Sequence, residues 1–298
     1  MSTSTRVLDD PRSRYPRPEF EEQKQEHPGR GADMEPRPDH GEESYRGTGK
    51  LAGCVAVVTG ADSGIGRAVC IAFAREGADL VMSYLPEEQA QAESTADLVT
   101  QAGRTAVLAP GDITDEARCN AIIDRAVTEF GRIDVLVNNA AYQMAQKGGI
   151  ADITTEQLDR TFKTNVYAMF WLCKAALPHM QPGASIINTS SIEAYDPKPA
   201  LLDYAATKGA IVNFTKGFAV EAAEKGVRVN TVAPGPIWTP LIPATMPADD
   251  VKTFGANTPI GRPGQPAELA PAYVFLASND ASYVTAEVLG VTGGRSLA

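Results

Sequence analysis

The sequence predicts an α/β fold: a doubly wound parallel sheet of about seven strands, flanked by helices, within a single domain. Two patterns from Lys50 onward carry that expectation. Short runs rich in Val, Ile and Leu recur, as in strands covered on both faces, and helix-length segments separate them. Such repetition implies parallel strands joined by crossover helices rather than two unrelated domains. In order, the expected strands are residues 54–59, 79–84, 105–109, 133–138, 184–190, 227–232 and 287–292. Helix 65–76 ends at Gly77 and helix 115–130 at Gly131, each suited to the left-handed turn that closes a helix. Segments 155–179 and 202–225 carry apolar residues at helical spacing.

Residues 1–49 read differently. They hold 8 basic and 11 acidic side chains, six prolines and few apolar residues, among them Tyr15, Phe20 and Tyr45. Such a leader cannot bury enough apolar surface to form its own core. It is expected to be a disordered tail, or an arm across a neighbouring subunit anchored by those aromatics. Residues 50–298 form the domain.

Composition removes several functions. The net charge of −10 disfavours nucleic acid as a partner. No run of 18 apolar residues would span a membrane, and no apolar secretory core opens the chain. Cys54, Cys70, Cys119 and Cys173 form no CxxC pair and read as reduced thiols of a cytoplasmic protein. His179 is the one histidine after position 49, so no metal site is expected, and it reads as a surface or capping residue.

The chemistry is carried by two motifs. The first strand runs into Thr59-Gly60-Ala61-Asp62-Ser63-Gly64-Ile65-Gly66, and a helix follows. Glycines there let the backbone approach a phosphate, and the helix start offers free N–H groups and a partial positive charge. Tyr204 and Lys208 are four apart, on one face of a helix, after a strand whose end carries Ser190 and Ser191. Ligands of open parallel sheets bind beyond such strand ends.

The spacing Gly-x-x-x-Gly-x-Gly with its leading Thr, joined to this Tyr-x-x-x-Lys pair, resembles the short-chain dehydrogenase/reductase family over about residues 50–298. The leader's Tyr45-Arg46-Gly47, with Tyr84-Leu85-Pro86-Glu87 and Leu201-Leu202-Asp203-Tyr204, is similar to a bacterial subgroup called glucose/ribitol dehydrogenase-like or general-stress oxidoreductases. The resemblance implies a Rossmann fold and an NAD(P)-dependent oxidoreductase acting on a carbonyl/alcohol pair. It implies Asn165, Ser191, Tyr204 and Lys208 as the catalytic set. A free tyrosine has a pKa of about 10, and bringing it to about 7 needs roughly 4 kcal/mol, which a nearby Lys ammonium and a cationic nicotinamide would supply. Ser191 would bind the reacting oxygen, Lys208 the nicotinamide ribose, and Asn165 a water of the proton relay. Cofactor contacts implied are Gly60, Ser63, Gly64, Ile65, Gly66, Tyr84, Asp112, Ile113, Asn139, Ala140, Tyr204, Lys208, Pro234, Gly235, Ile237 and Thr239. Relatives also pair helices 155–179 and 202–225 into homotetramers.

Two positions depart from the family pattern. Ala141 stands where Asn-Asn-Ala is commonly followed by Gly. At the second strand's end, Tyr84 and Leu85 provide neither the acid of NAD-preferring relatives nor the Arg of NADP-preferring ones. Glu87 and Glu88 follow and would repel a 2′-phosphate if they pointed inward, which favours NAD. A small carbonyl or alcohol (aldehyde, ketone, sugar or polyol) is the expected substrate class. A cofactor-binding regulator without turnover is the alternative, and a short C-terminal region disfavours an epimerase or dehydratase.

Overall fold

The structure is a computed structural model that describes residues 8–297. Its centre is one seven-stranded sheet in the order β3-β2-β1-β4-β5-β6-β7. The strands are β1 Val55–Thr59, β2 Asp79–Tyr84, β3 Ala106–Pro110, β4 Ile133–Asn138, β5 Met180–Thr189, β6 Arg228–Pro234 and β7 Val288–Val291. All neighbours are parallel. The order reverses between β1 and β4, which places a crevice at the carboxyl ends of those two strands.

Strand geometry explains how uniformly apolar runs serve two cores. Successive side chains alternate between sheet faces. Ala56, Val58, Leu80, Met82, Val135 and Val137 join one cluster with Val69, Phe73 and Tyr273. Val57, Val81 and Leu136 join the opposite cluster with Ile122, Leu172 and Ile211. The helices behind the first cluster are α1 Gly64–Arg75, α2 Gln89–Gln101 and α9 Pro266–Ala277; α3 Glu116–Phe130, α5 Ala168–Ala176 and α6 Leu202–Ala223 cover the other face. The remaining helices are α4 Thr155–Phe162, α7 Leu241–Thr245 and α8 Ala248–Lys252.

Three features differ from the sequence pattern. The long helix expected over 155–179 is broken: a π turn, Lys163–Tyr167, separates α4 from α5, and a 3₁₀ turn ends it at His179. Helix α2 was not evident because its buried positions, Ala92, Thr95 and Val99, are small or polar. Helix α9 was masked by Pro266 and Pro271 and by a nearly all-apolar composition that shows no period.

The leader packs on its own chain. Phe20 and Met34 enter an apolar cluster with Trp238, Ile242, Met246, Val251 and Phe254. The Phe20 and Trp238 rings lie 4.4 Å apart, and Trp238 Nε1 donates to the Pro36 carbonyl at 2.7 Å. Backbone hydrogen bonds from Phe20 to Lys252 (2.9 Å) and from Gln25 to Pro243 (3.0 Å) tie it to α8 and α7. Tyr45 donates to Glu76 at 2.6 Å. Phe20 thus packs in an apolar recess around Trp238, and Tyr45 packs at the end of α1. Among the described residues no helix is long and apolar enough to cross a membrane. All four cysteines are unpaired.

Candidate active site

A continuous cleft runs over the carboxyl ends of the strands. Its two halves share Ile65, Ala141, Thr239 and Leu241. In the first half, β1 delivers Thr59, whose hydroxyl oxygen accepts the N–H groups of Asn139 and Ala140, both at 3.0 Å. Asn139 in turn donates to the Thr59 carbonyl at 3.0 Å. These bonds lock the turn after β4 to the turn after β1, leaving the N-terminus of α1 facing the cleft. A Cβ on Gly66 would meet the Gly60 carbonyl oxygen at 1.8 Å, so only glycine permits this close return of helix on strand. Gly64, with φ of +51°, leaves a Cβ position 3.2 Å from Thr239, which lines both halves.

The residues expected to hold a dinucleotide largely converge here. Gly60, Ser63, Gly64, Ile65, Tyr84, Asp112, Ile113, Asn139, Ala140 and Thr239 line the first half; Tyr204, Lys208, Pro234, Gly235 and Ile237 line the second. Gly66 lines neither and acts through packing. Burial would raise the Asp112 carboxyl, but the Thr114 N–H and the Arg160 guanidinium, 2.6 Å away, hold it low. The open N–H groups of α1, the glycine cradle and these acceptors suit a nicotinamide dinucleotide.

The second half holds the candidate reacting groups. Ser191 closes β5's exit as the cap of a 3₁₀ turn, its Oγ accepting the Glu193 N–H at 3.1 Å. Tyr204 and Lys208 project from one face of α6 and line the same half of the cleft as Ser191. Lys208 Nζ donates to the Thr189 carbonyl at 2.8 Å and lies 5.2 Å from the Tyr204 ring centroid. Ser190, the neighbour of Ser191, is instead spent on the Lys208 carbonyl at 2.8 Å.

Burial dominates the electrostatics of the pair in the protein alone. Burial raises Tyr204 well above the usual tyrosine range, the Ser191 hydroxyl opposes this, and the Glu193 carboxyl adds to it. Burial also pushes Lys208 down to about 7. The desolvation that disfavours tyrosinate also weakens the cation that would stabilise it. With protein groups alone, the pair is poised near neutrality rather than as an ion pair.

Asn165 stands apart from both halves of the cleft. It lies in the π turn, lining a small inner cavity with Thr59, Asn138 and Thr189. Its amide is fully engaged: Oδ1 accepts Tyr142 N–H at 2.8 Å, and Nδ2 donates to Tyr142 O at 2.9 Å and Thr207 Oγ1 at 3.0 Å.

Several lining residues carried no recognisable signal in the sequence. His27 and Pro28 of the leader line the first half, with His27 5.2 Å from the Tyr142 ring. Asp62 lines it too, beside Glu88, which the sequence had already marked as able to meet a 2′-phosphate. Gln143, Glu193, Lys198 and Arg295 give the second half a polar lining, mixed with Leu201, Ile242, Met246 and Phe254.

The chain is similar to known oxidoreductases over most of its length. A family described as Enoyl-(Acyl carrier protein) reductase matches residues 60–296. An uncharacterized oxidoreductase of Bacillus subtilis is 54% identical over 280 residues, covering 93% of each chain. A glucose and ribitol dehydrogenase of Daucus carota is 47% identical, covering 93% of this chain and 97% of that one. A blue fluorescent protein from a metagenomic library, solved in complex with NADPH, superposes with a TM-score of 0.76 at 33% identity, covering 82% of this chain and 98% of that one.

Proposed function

The chain belongs to the short-chain dehydrogenase/reductase family, and we propose that it is an NAD(P)-dependent oxidoreductase interconverting a carbonyl and an alcohol, with Tyr204 as the proton carrier. The observation that carries this reading is the meeting of Ser191, Tyr204 and Lys208 in a cleft continuous with the dinucleotide half. Bound nicotinamide supplies the hydride chemistry. The protein's part is to hold the substrate oxygen and move its proton. The Ser191 hydroxyl hydrogen-bonds that oxygen, and Tyr204 Oη gives up or takes its proton. Lys208, kept in place by the Thr189 carbonyl, holds the nicotinamide ribose and favours proton loss from Tyr204 when it is charged. Asn165 braces the Tyr142 turn with its side chain, and the family resemblance gives it the further part of helping to hold a relay water.

The mixed wall of the second half supports an aldehyde, ketone, sugar or polyol as substrate. Assembly into a homotetramer belongs to the same proposal: Leu158, Tyr167, Phe170 and Val220 are exposed apolar side chains on the α4–α5 and α6 surfaces, and a monomer in sedimentation at micromolar concentration would refute it. The unpaired cysteines accord with a cytoplasmic location. The test is a panel of aldehydes, ketones, sugars and polyols run with NAD and NADP in both directions, following absorbance of the reduced nicotinamide. Turnover of at least one class is expected. Tight cofactor binding with no turnover would favour a cofactor-binding regulator.

A further inference from the structure

The sheet order places β2 between β1 and β3. A dinucleotide with its pyrophosphate at the α1 N-terminus and its adenine beside Asp112 and Ile113 therefore carries the adenosine ribose over the end of β2. The wall there is made by Asp62, Ser83, Tyr84, Leu85 and Glu88. Tyr84 stands at the position where an acid often meets the ribose, but its hydroxyl is committed to Gln89 Oε1 at 2.6 Å. The acids come from two other places: Asp62 from the glycine-rich turn, and Glu88 from the 3₁₀ turn before α2.

Glu88 points inward. It is 8% exposed, and Oε2 accepts the Leu85 N–H at 3.2 Å, which fixes the carboxyl beside the cleft. Asp62 is 2% exposed, and its Oδ2 has no hydrogen-bond partner. A buried carboxylate oxygen without a donor is costly unless a ligand hydroxyl supplies one. The two carboxyls also lie close enough to influence each other electrostatically. Burial raises both carboxyls above the usual carboxylate range, and the neighbouring Asp62 adds to the rise of Glu88, to about 8.

The cleft offers these two acids little cationic balance. Among the described residues, the basic side chains lining this half are Arg160 and His27. Arg160 is paired with Asp112 at 2.6 Å. Burial lowers His27, and the Arg160 charge lowers it further. Arg67 lies behind the pair, bonded to Thr95 Oγ1 at 2.8 Å and Glu42 Oε1 at 3.3 Å, and does not line the cleft.

We propose that Asp62 and Glu88 together form the cofactor-selecting element, accepting a hydrogen bond from the 2′-hydroxyl of NAD and repelling the 2′-phosphate of NADP. This rests on the nicotinamide-cofactor reading above. The test is equilibrium titration of the full-length protein with NADH and with NADPH, read by nicotinamide fluorescence and needing no turnover. Wild type is expected to bind NADH at least tenfold more tightly than NADPH. Glu88→Gln and Asp62→Ser, singly and combined, should narrow that ratio, the double variant by tenfold or more, with NADPH gaining affinity and NADH losing it. Wild type binding NADPH as tightly as NADH would overturn the proposal, whether or not the variants fold. So would an unchanged ratio in a variant with wild-type circular dichroism. Binding of neither nucleotide would overturn the underlying cofactor reading, and this one with it.

Discussion

Lys208 Nζ lies 5.2 Å from the centre of the Tyr204 ring, yet its hydrogen bond goes to the Thr189 carbonyl at 2.8 Å. The lysine is thus held by the end of β5, independently of the tyrosine's protonation. Burial sets its pKa, at about 7.

That depression has a consequence for stability. An unfolded lysine titrates near 10.4. Between about pH 7 and pH 10 the unfolded chain therefore binds more protons than the folded one at this site, so Lys208 makes stability rise with pH across that window. Below about pH 7 the cost is complete and constant. Above about pH 10 the raised Tyr204 acts in the opposite sense. Lys208→Met should remove the rise. Urea unfolding of both proteins should show wild type gaining on the variant from pH 7 to pH 10, by a total on the order of 4 kcal/mol. A difference independent of pH would show that Lys208 is not buried as described.

Asn165→Ala removes three hydrogen bonds and leaves the backbone N–H and C=O of Tyr142 unpaired. A loss of about 1–3 kcal/mol in unfolding free energy is expected. Turnover should fall on the order of tenfold or more, because the Tyr142 turn borders the cleft and small misplacements are costly there. Asn165→Asp can still accept from Tyr142 N–H but cannot donate, so it should fall between the two. Unchanged stability in Asn165→Ala would exclude the bracing role.

Removing residues 1–48 uncovers Trp238, which is fully buried beneath Phe20 and donates to Pro36. In a Trp171→Phe background, Trp238 reports alone, since the chain has two tryptophans. Its emission should move to longer wavelength on truncation, and Phe20→Ala should produce part of that shift. An unshifted spectrum would mean that the leader does not dock on this recess.

The parts of the site legible in the sequence are those carried by local spacing. The turn from Thr59 to Gly66, the pair Tyr204 and Lys208, and Ser191 at a strand end each need only a strand, a turn and a helix in register. The unread parts depend on contacts between distant segments. Trp238 meets Pro36 across 202 positions, and no local pattern marks either residue as the other's partner. Asp62 and Glu88 join only once β1 and β2 pair, with Thr59 opposite Ser83. The π turn at Lys163–Tyr167 was invisible because the apolar spacing continues through it.

The most direct test of the central claim is the Tyr204→Phe variant, assayed for turnover and for cofactor affinity on the same preparation. The phenyl ring preserves the packing on α6 and removes only the hydroxyl. Turnover should fall by about 10²–10⁴-fold, the usual worth of a positioned acid/base group, while the dissociation constant for the nicotinamide dinucleotide changes by less than about threefold. Turnover at the wild-type rate would contradict the assignment of Tyr204 as the proton carrier.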